Sequence, residues 1–286
     1  MGLHMARMSA TQRRAAVAAP RPFLGFVSRL VGVGRLRLHV REHLAGEGPD
    51  WVLLHGLAVS HRYLMPTAAA LVPASVHVPD LPGFGLSDKP REIYGPRRHA
   101  EVVAAWMDRA GIATAGVLGN SFGCQVAVEL AVARPDLVSA LVLVGPTVDP
   151  AAPTAAGQVW RWLRDLARED PWQARILAAD IRDAGPRRLL GTLRRSVEHH
   201  MAERLPLVGT VPTLLVRGER DPIAPRRWLE RAARLTPVAA VAEIPLAAHN
   251  AVTTAGAAVA ALAQSSGTSC SAASSALAPP PAEPAS

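Results

Sequence analysis

The chain has 286 residues, of which 49% are apolar and only 4% aromatic, with a formal net charge of +8. That length suits one large domain or two small ones with a sizeable core, and no run reaches the ~18 uninterrupted apolar residues of a membrane span, so a soluble protein without stable membrane insertion is expected. The charge is no signal for nucleic acid: residues 1–42 hold eight arginines against the single acid Glu42, with no aromatic interleaving or binding motif beside them.

In chain order, residues 1–20 carry Arg13 and Arg14 before an alanine-rich stretch ending at Pro20. This is too short and too weakly apolar for a signal peptide, and a twin arginine alone is little evidence of export, so a disordered segment is expected. Residues 35–41 alternate arginine with apolar residues, as a half-solvated edge strand would. A strand over 52–54 runs into His55-Gly56-Leu57, and the loop Asp80-Leu81-Pro82-Gly83-Phe84-Gly85-Leu86-Ser87 follows.

The apolar strand 115–118 enters Gly119-Asn120-Ser121-Phe122-Gly123, and Val126, Val128, Leu130 and Val132 continue as a helix that stops at Arg134-Pro135. Another strand covers 141–144. Between it and a strand starting at Thr213, the segment 147–209 reads as helices over 158–167, 171–184 and 186–201, separated by Pro and Gly. The strand from Thr213 ends in a loop with Asp221, and a short strand in the stretch from Val241 leads to the loop histidine His249. Residues 264–286, rich in Ser, Ala and Pro, are expected to be disordered, and no internal repeat is visible. Strands alternating with helices predict an α/β fold, a mostly parallel sheet covered on both faces. The two cysteines, Cys124 and Cys270, sit in contexts unsuited to a structural disulfide, which fits a reducing cytoplasm.

The chemistry concentrates at Ser121. A strand running through G-x-S-x-G directly into a helix holds the serine at the tip of a sharp turn, where only residues without a Cβ permit the close approach of strand and helix. A serine hydroxyl is barely nucleophilic at neutral pH. It needs an imidazole to take its proton and a carboxylate to fix the imidazole's tautomer, and Asp221 and His249 follow in the chain.

Taken together, His55-Gly56-Leu57, the D-x-P-G-x-G-x-S loop from Asp80, the turn Gly119 to Gly123, and the order Ser121, Asp221, His249 resemble the α/β-hydrolase fold superfamily over residues 21–263. The resemblance implies a core in two parts, 21–146 and 210–263, with a helical lid at 147–209. It implies catalysis by Ser121, Asp221 and His249, an oxyanion hole from the backbone N–H groups of Leu57 and Phe122, and no cofactor. The reaction expected is hydrolysis of a carboxylic ester of a small apolar acyl substrate, with Trp160 and Trp162 of the lid as substrate contacts. Two alternatives stand beside it: hydrolysis of a carbon–carbon bond in a ring-cleavage product, and a non-catalytic ligand-binding member of the fold. A carboxylate at the elbow, as in dehalogenase and epoxide-hydrolase relatives, is replaced here by Ser121.

Other polar residues have competing readings. His55 precedes the serine, and the family uses this position to shape the oxyanion turn. Asp149 is a rival acid in a Pro-rich loop, whereas Asp221 ends its strand directly. His199 and His200, beside Glu198 and Glu203, read as a surface helix turn rather than a metal site, because adjacent helical residues point apart. Oligomeric state has no signature in the sequence.

Overall fold

A computed structural model describes residues 25–45, 48–166 and 171–275. The expectations for residues 1–20 and for the last residues of the tail lie outside that range.

Eight strands form one sheet: β1 (Val27–Val33), β2 (Leu36–His43), β3 (Asp50–Leu54), β4 (Val76–Pro79), β5 (Ala115–Asn120), β6 (Val138–Val144), β7 (Thr213–Gly218) and β8 (Ala239–Ile244). Their spatial order is β1-β2-β4-β3-β5-β6-β7-β8. The pairs β1/β2 and β2/β4 are antiparallel and all the others are parallel. The central strands are near-continuous apolar runs, as strands covered on both faces must be: every residue of β5 is buried.

The helices are α1 (His61–Leu71), α2 (Pro96–Ala110), α3 (Phe122–Ala133), α4 (Ala155–Leu166), α5 (Pro171–Ala184), α6 (Pro186–Val197), α7 (Met201–Arg204), α8 (Arg226–Leu235), α9 (Ala251–Thr254) and α10 (Gly256–Ser275). One sheet face packs α2, α3 and α8 through Val103, Trp106, Val126, Leu130 and Trp228. The other packs α1 and α10 through Leu64, Leu71, Val259 and Ala263. A small third cluster of Val59, Tyr63 and Leu177, with Trp162 and Ile181 against it, seats the helices between β6 and β7 on the core.

Three expectations are corrected. The strand expected at the sheet edge over 35–41 is β2, which lies inside β1; pairing on both sides buries Leu38, His39 and Val40. Here the alternation of arginine and apolar residues marks one solvated face. The helix expected over 186–201 breaks after Val197 and resumes at Met201, and the break turns His199 inward. The last helix runs to Ser275, into the stretch expected to be disordered from 264.

Candidate active site

The parallel strands β5, β6, β7 and β8 lie side by side, so the loops at their carboxyl ends converge on one crevice. Open α/β sheets bind ligands in this place. Ser121 follows β5, Gly145 follows β6, Asp221 follows β7 and His249 follows β8.

At Ser121 the backbone takes φ 54° and ψ −116°, a conformation that a non-glycine residue rarely adopts. The N–H of Ser121 donates to the carbonyl of Val144 at 3.0 Å, tying the turn to β6. Two glycines make the turn possible. A Cβ on Gly119 would lie 2.5 Å from the carbonyl oxygen of Gly123, and one on Gly123 would run into the carbonyl of Leu54. With Phe122 opening α3, its N–H belongs to the first helical turn, where amides have no partner within the helix.

His249 Nδ1 lies 2.8 Å from Asp221 Oδ2, and both side chains are buried. The other carboxylate oxygen of Asp221 accepts the N–H groups of Ile223 at 2.7 Å and Ala224 at 3.0 Å. Burial alone would raise the Asp221 pKa. The charge and hydrogen bond of His249, with those two amides, outweigh it and hold the carboxyl below its ordinary value. An ionised Asp221 accepts a hydrogen bond from Nδ1–H, which places the imidazole's basic lone pair on Nε2.

Gly145, at φ 60°, makes room for this pair: a Cβ there would meet His249 Cε1 at 2.8 Å and Asp221 Oδ2 at 3.2 Å. It had no signal in the sequence beyond its place at the end of a strand.

Ser121, Phe122, Leu57 and His249 all line one cavity of about 400 Å³. Beside Ser121, the turn holding Leu57 is close-packed; a Cβ on Gly56 would sit 3.3 Å from the Ser121 Cβ. His55 orders that turn. Its Nδ1–H donates to the Gly56 carbonyl at 2.8 Å, and its Nε2 accepts the N–H of Leu81 at 2.9 Å. Burial pushes the His55 pKa down, which keeps the neutral ring this pattern requires.

The helices between β6 and β7 supply much of the wall, through Val159, Trp162, Leu177, Ile181, Leu189, Leu190 and Leu193. Trp162, expected as a substrate contact, is on this wall. Trp160, expected likewise, is 63% exposed and off the cavity wall. Two residues along a helix turn through about 200°, so these two tryptophans face opposite ways.

Polar contacts also fix this segment to the core. Asp165 Oδ1 accepts the backbone N–H of His249 at 3.1 Å. Asp180 accepts from Ser60 Oγ at 2.8 Å and from Arg62 at 2.5 Å, while burial raises its pKa to about 6 against the pull of Arg62. Neither acid stood out in the sequence, because a lone Asp on an amphipathic helix reads as solvated.

Asp149 is buried away from the imidazole and accepts from Arg161 at 2.9 Å and Arg227 at 3.4 Å. His199, expected at the surface, is buried with Nε2 2.8 Å from Glu129 Oε1, which Arg204 also contacts; His200 alone is exposed. The first residue of the D-x-P-G-x-G-x-S loop is a structural brace. Asp80 meets His39 Nδ1 at 2.8 Å and His61 Nδ1 at 3.0 Å, and accepts the N–H groups of His61 and Leu86.

Residues 52–207 match the family model described as the α/β hydrolase fold, and the chain belongs to that family. It is 31% identical over 159 residues to a haloalkane dehalogenase of Mycobacterium marinum, an alignment spanning 53% of each chain. With a 2-(acetamidomethylene)succinate hydrolase of Mesorhizobium japonicum it shares 28% identity over 251 residues, 78% of this chain and 89% of the relative. The enol-lactonase of Burkholderia xenovorans superposes with a TM-score of 0.71 at 22% identity, covering 84% of this chain and all of that one. The match thus extends over about half the length of the dehalogenase and most of the succinate-type hydrolase.

Proposed function

We propose that the protein is a serine carboxylesterase acting on uncharged, apolar acyl groups. The observation that carries this reading is the buried His249–Asp221 pair, its imidazole on the same cavity as Ser121, a serine held in a strained turn.

In the proposed reaction His249 Nε2 takes the Ser121 proton as Oγ bonds to the acyl carbon. The carbonyl electron pair moves onto oxygen, where the N–H groups of Leu57 and Phe122 would receive it. The imidazolium, steadied by Asp221, then protonates the departing alkoxide, leaving an acyl group on Ser121. Water, deprotonated by the same ring, attacks the acyl enzyme and restores the serine. The helical segment 147–209 acts as a lid, which excludes water and contributes apolar contact more than proton transfer. These steps use no cofactor.

The wall of the cavity supports the choice of acyl group. Apart from His249, no lysine, arginine or histidine lines it among the described residues. A carboxylate carried by the substrate would there lose its hydration without gaining a cationic partner. This weighs against a succinate-type substrate like that named for the Mesorhizobium relative, and against acidic ring-cleavage products. Dehalogenation is disfavoured by Ser121 itself, which stands where those enzymes carry a carboxylate.

The test is steady-state hydrolysis of paired aryl esters of matched length, one acyl chain ending in a methyl group and the other in a carboxylate. The neutral ester is expected to turn over at least about tenfold better in kcat/KM, the low end of what one mismatched contact supplies. Preference for the charged ester would overturn the assignment, and tight binding without turnover would favour a ligand-binding role.

A further inference from the structure

The outer face of the lid segment combines exposed apolar side chains with positive charge that has no ion-pair partner among the described residues. On α4, Trp160 is 63% and Leu163 48% exposed, and their spacing of three puts them on one face. Val159 on α4 and Leu190 on α6 are 41% and 49% exposed while also lining the cavity, so exposed apolar surface reaches the cavity. Helices α4 and α6 are in contact, and Val159 and Leu190 bring the exposed apolar side chains of both to the same cavity.

Arginines flank these apolar residues at helical spacing. Arg164 lies one turn from Trp160, and Arg187 and Arg194 lie one turn to either side of Leu190; all three are exposed, with no ion-pair partner among the described residues. The acids described in this segment do not offset them. Asp149, Asp165 and Asp180 are buried, Asp183 pairs with Lys89, Glu198 with Arg195, and Glu203 lies beside His200.

We infer that this face docks on an anionic lipid surface, with Trp160 and Leu163 entering the interfacial layer and Arg164, Arg187 and Arg194 meeting the headgroups. Exposed tryptophan and leucine beside arginine on an amphipathic helix give the chemistry of a helix that lies in the plane of a membrane boundary without crossing it. Apolar insertion and attraction to negative headgroups reinforce each other there. No helix among the described residues is long and apolar enough to cross a membrane, in keeping with peripheral attachment. Docking in this pose would present the cavity mouth to molecules dissolved in the lipid layer. The inference goes beyond the esterase reading and does not depend on the reaction.

The experiment is co-sedimentation of the full chain with phosphatidylcholine vesicles, with and without phosphatidylglycerol, at low and high salt. The parent is expected to bind the phosphatidylglycerol vesicles and to be released by salt, because the attraction of exposed charges is screened. Trp160→Ser with Leu163→Ser is expected to weaken binding by about tenfold or more, as lost apolar insertion requires. Arg164→Gln with Arg187→Gln, which leaves the apolar face intact, is expected to remove the preference for phosphatidylglycerol.

Hydrolysis of a water-soluble acetate ester, read in parallel, is expected to be unchanged in both double variants; that readout reports on the esterase assignment separately and confirms that the variants fold. The inference is overturned if the parent binds neither vesicle, binds both equally, or binds as well after the Trp160 and Leu163 changes. It is equally overturned if sedimentation of the parent without lipid shows a concentration-dependent dimer that those changes abolish while vesicle binding is absent. The face would then be an interface between copies of the chain.

Discussion

Asp221 and Asp149 are both buried carboxylates next to core strands, and their partners give them different work. Asp221 holds the Nδ1 side of His249, whereas Asp149 is engaged by Arg161 and Arg227. Asp221→Asn keeps the shape but leaves the ring in the wrong tautomer, and turnover should fall by about 10⁴, the effect seen for the same change in the serine-protease template. Asp149→Asn should cost stability by removing the charge that Arg161 and Arg227 share, while turnover per folded molecule stays near the parent's. Kinetics normalised to active-site titre distinguish the two. At this scale the residues of the candidate site were readable because G-x-S-x-G, a strand-end Asp and a loop His are local patterns. Gly145 and Asp165 were not: each matters through a contact made across the fold, with His249 about a hundred positions away for Gly145 and 84 positions away for Asp165.

The helices between β6 and β7 show how periodicity informs and where it stops. Pro171, Gly185 and Pro186 punctuate the chain strongly enough to mark α5 and the start of α6. The break at 198–200 has no such punctuation. It is favoured by a tertiary contact, the burial of His199 against Glu129. Periodicity also does not tell which of two apolar faces meets the core, so Trp160 and Trp162 looked equivalent. With only Trp162 on the cavity wall, Trp162→Ala should shift the preference between neighbouring acyl lengths by about 1–3 kcal/mol, while Trp160→Ala leaves the ranking unchanged. A series of straight-chain aryl esters measures this. The opposite pattern would mean that α4 presents its other face to substrate.

Across the whole molecule, alternating strand and helix signals made the parallel sheet legible, and the loop motifs located the end of it that carries Ser121, Asp221 and His249. The antiparallel edge β1 and the short strand β4 were missed, since neither carries a motif and β1 is mostly solvent-exposed. Three buried acids connect this architecture to pH. Burial opposes the ionisation of Asp80, but His61 and His39 outweigh it and hold its pKa well below 3.8; Asp221 is also held below 3.8. Carboxyls depressed in the folded state contribute stability that is present above their unfolded pKa and lost as pH falls through the folded values. Asp180, raised to about 6, has the opposite sign: what it contributes is fully present below 3.8 and is lost as pH rises through about 6. Urea unfolding should therefore show a midpoint that drops steeply below pH 3.8, with a steeper fall in the parent than in Asp80→Asn. A midpoint flat across that range would contradict the ionised state assigned to Asp80 and Asp221.

The central claim is that Ser121 becomes acylated. Its most direct test is treatment of the protein with a fluorophosphonate, followed by mass spectrometry of the intact chain and its peptides, with Ser121→Ala alongside. One adduct, on the peptide containing Ser121, is expected in the parent and none in the variant, whose ester turnover should be lower by about three orders of magnitude or more. Labelling of another serine, or full activity in Ser121→Ala, would contradict the account.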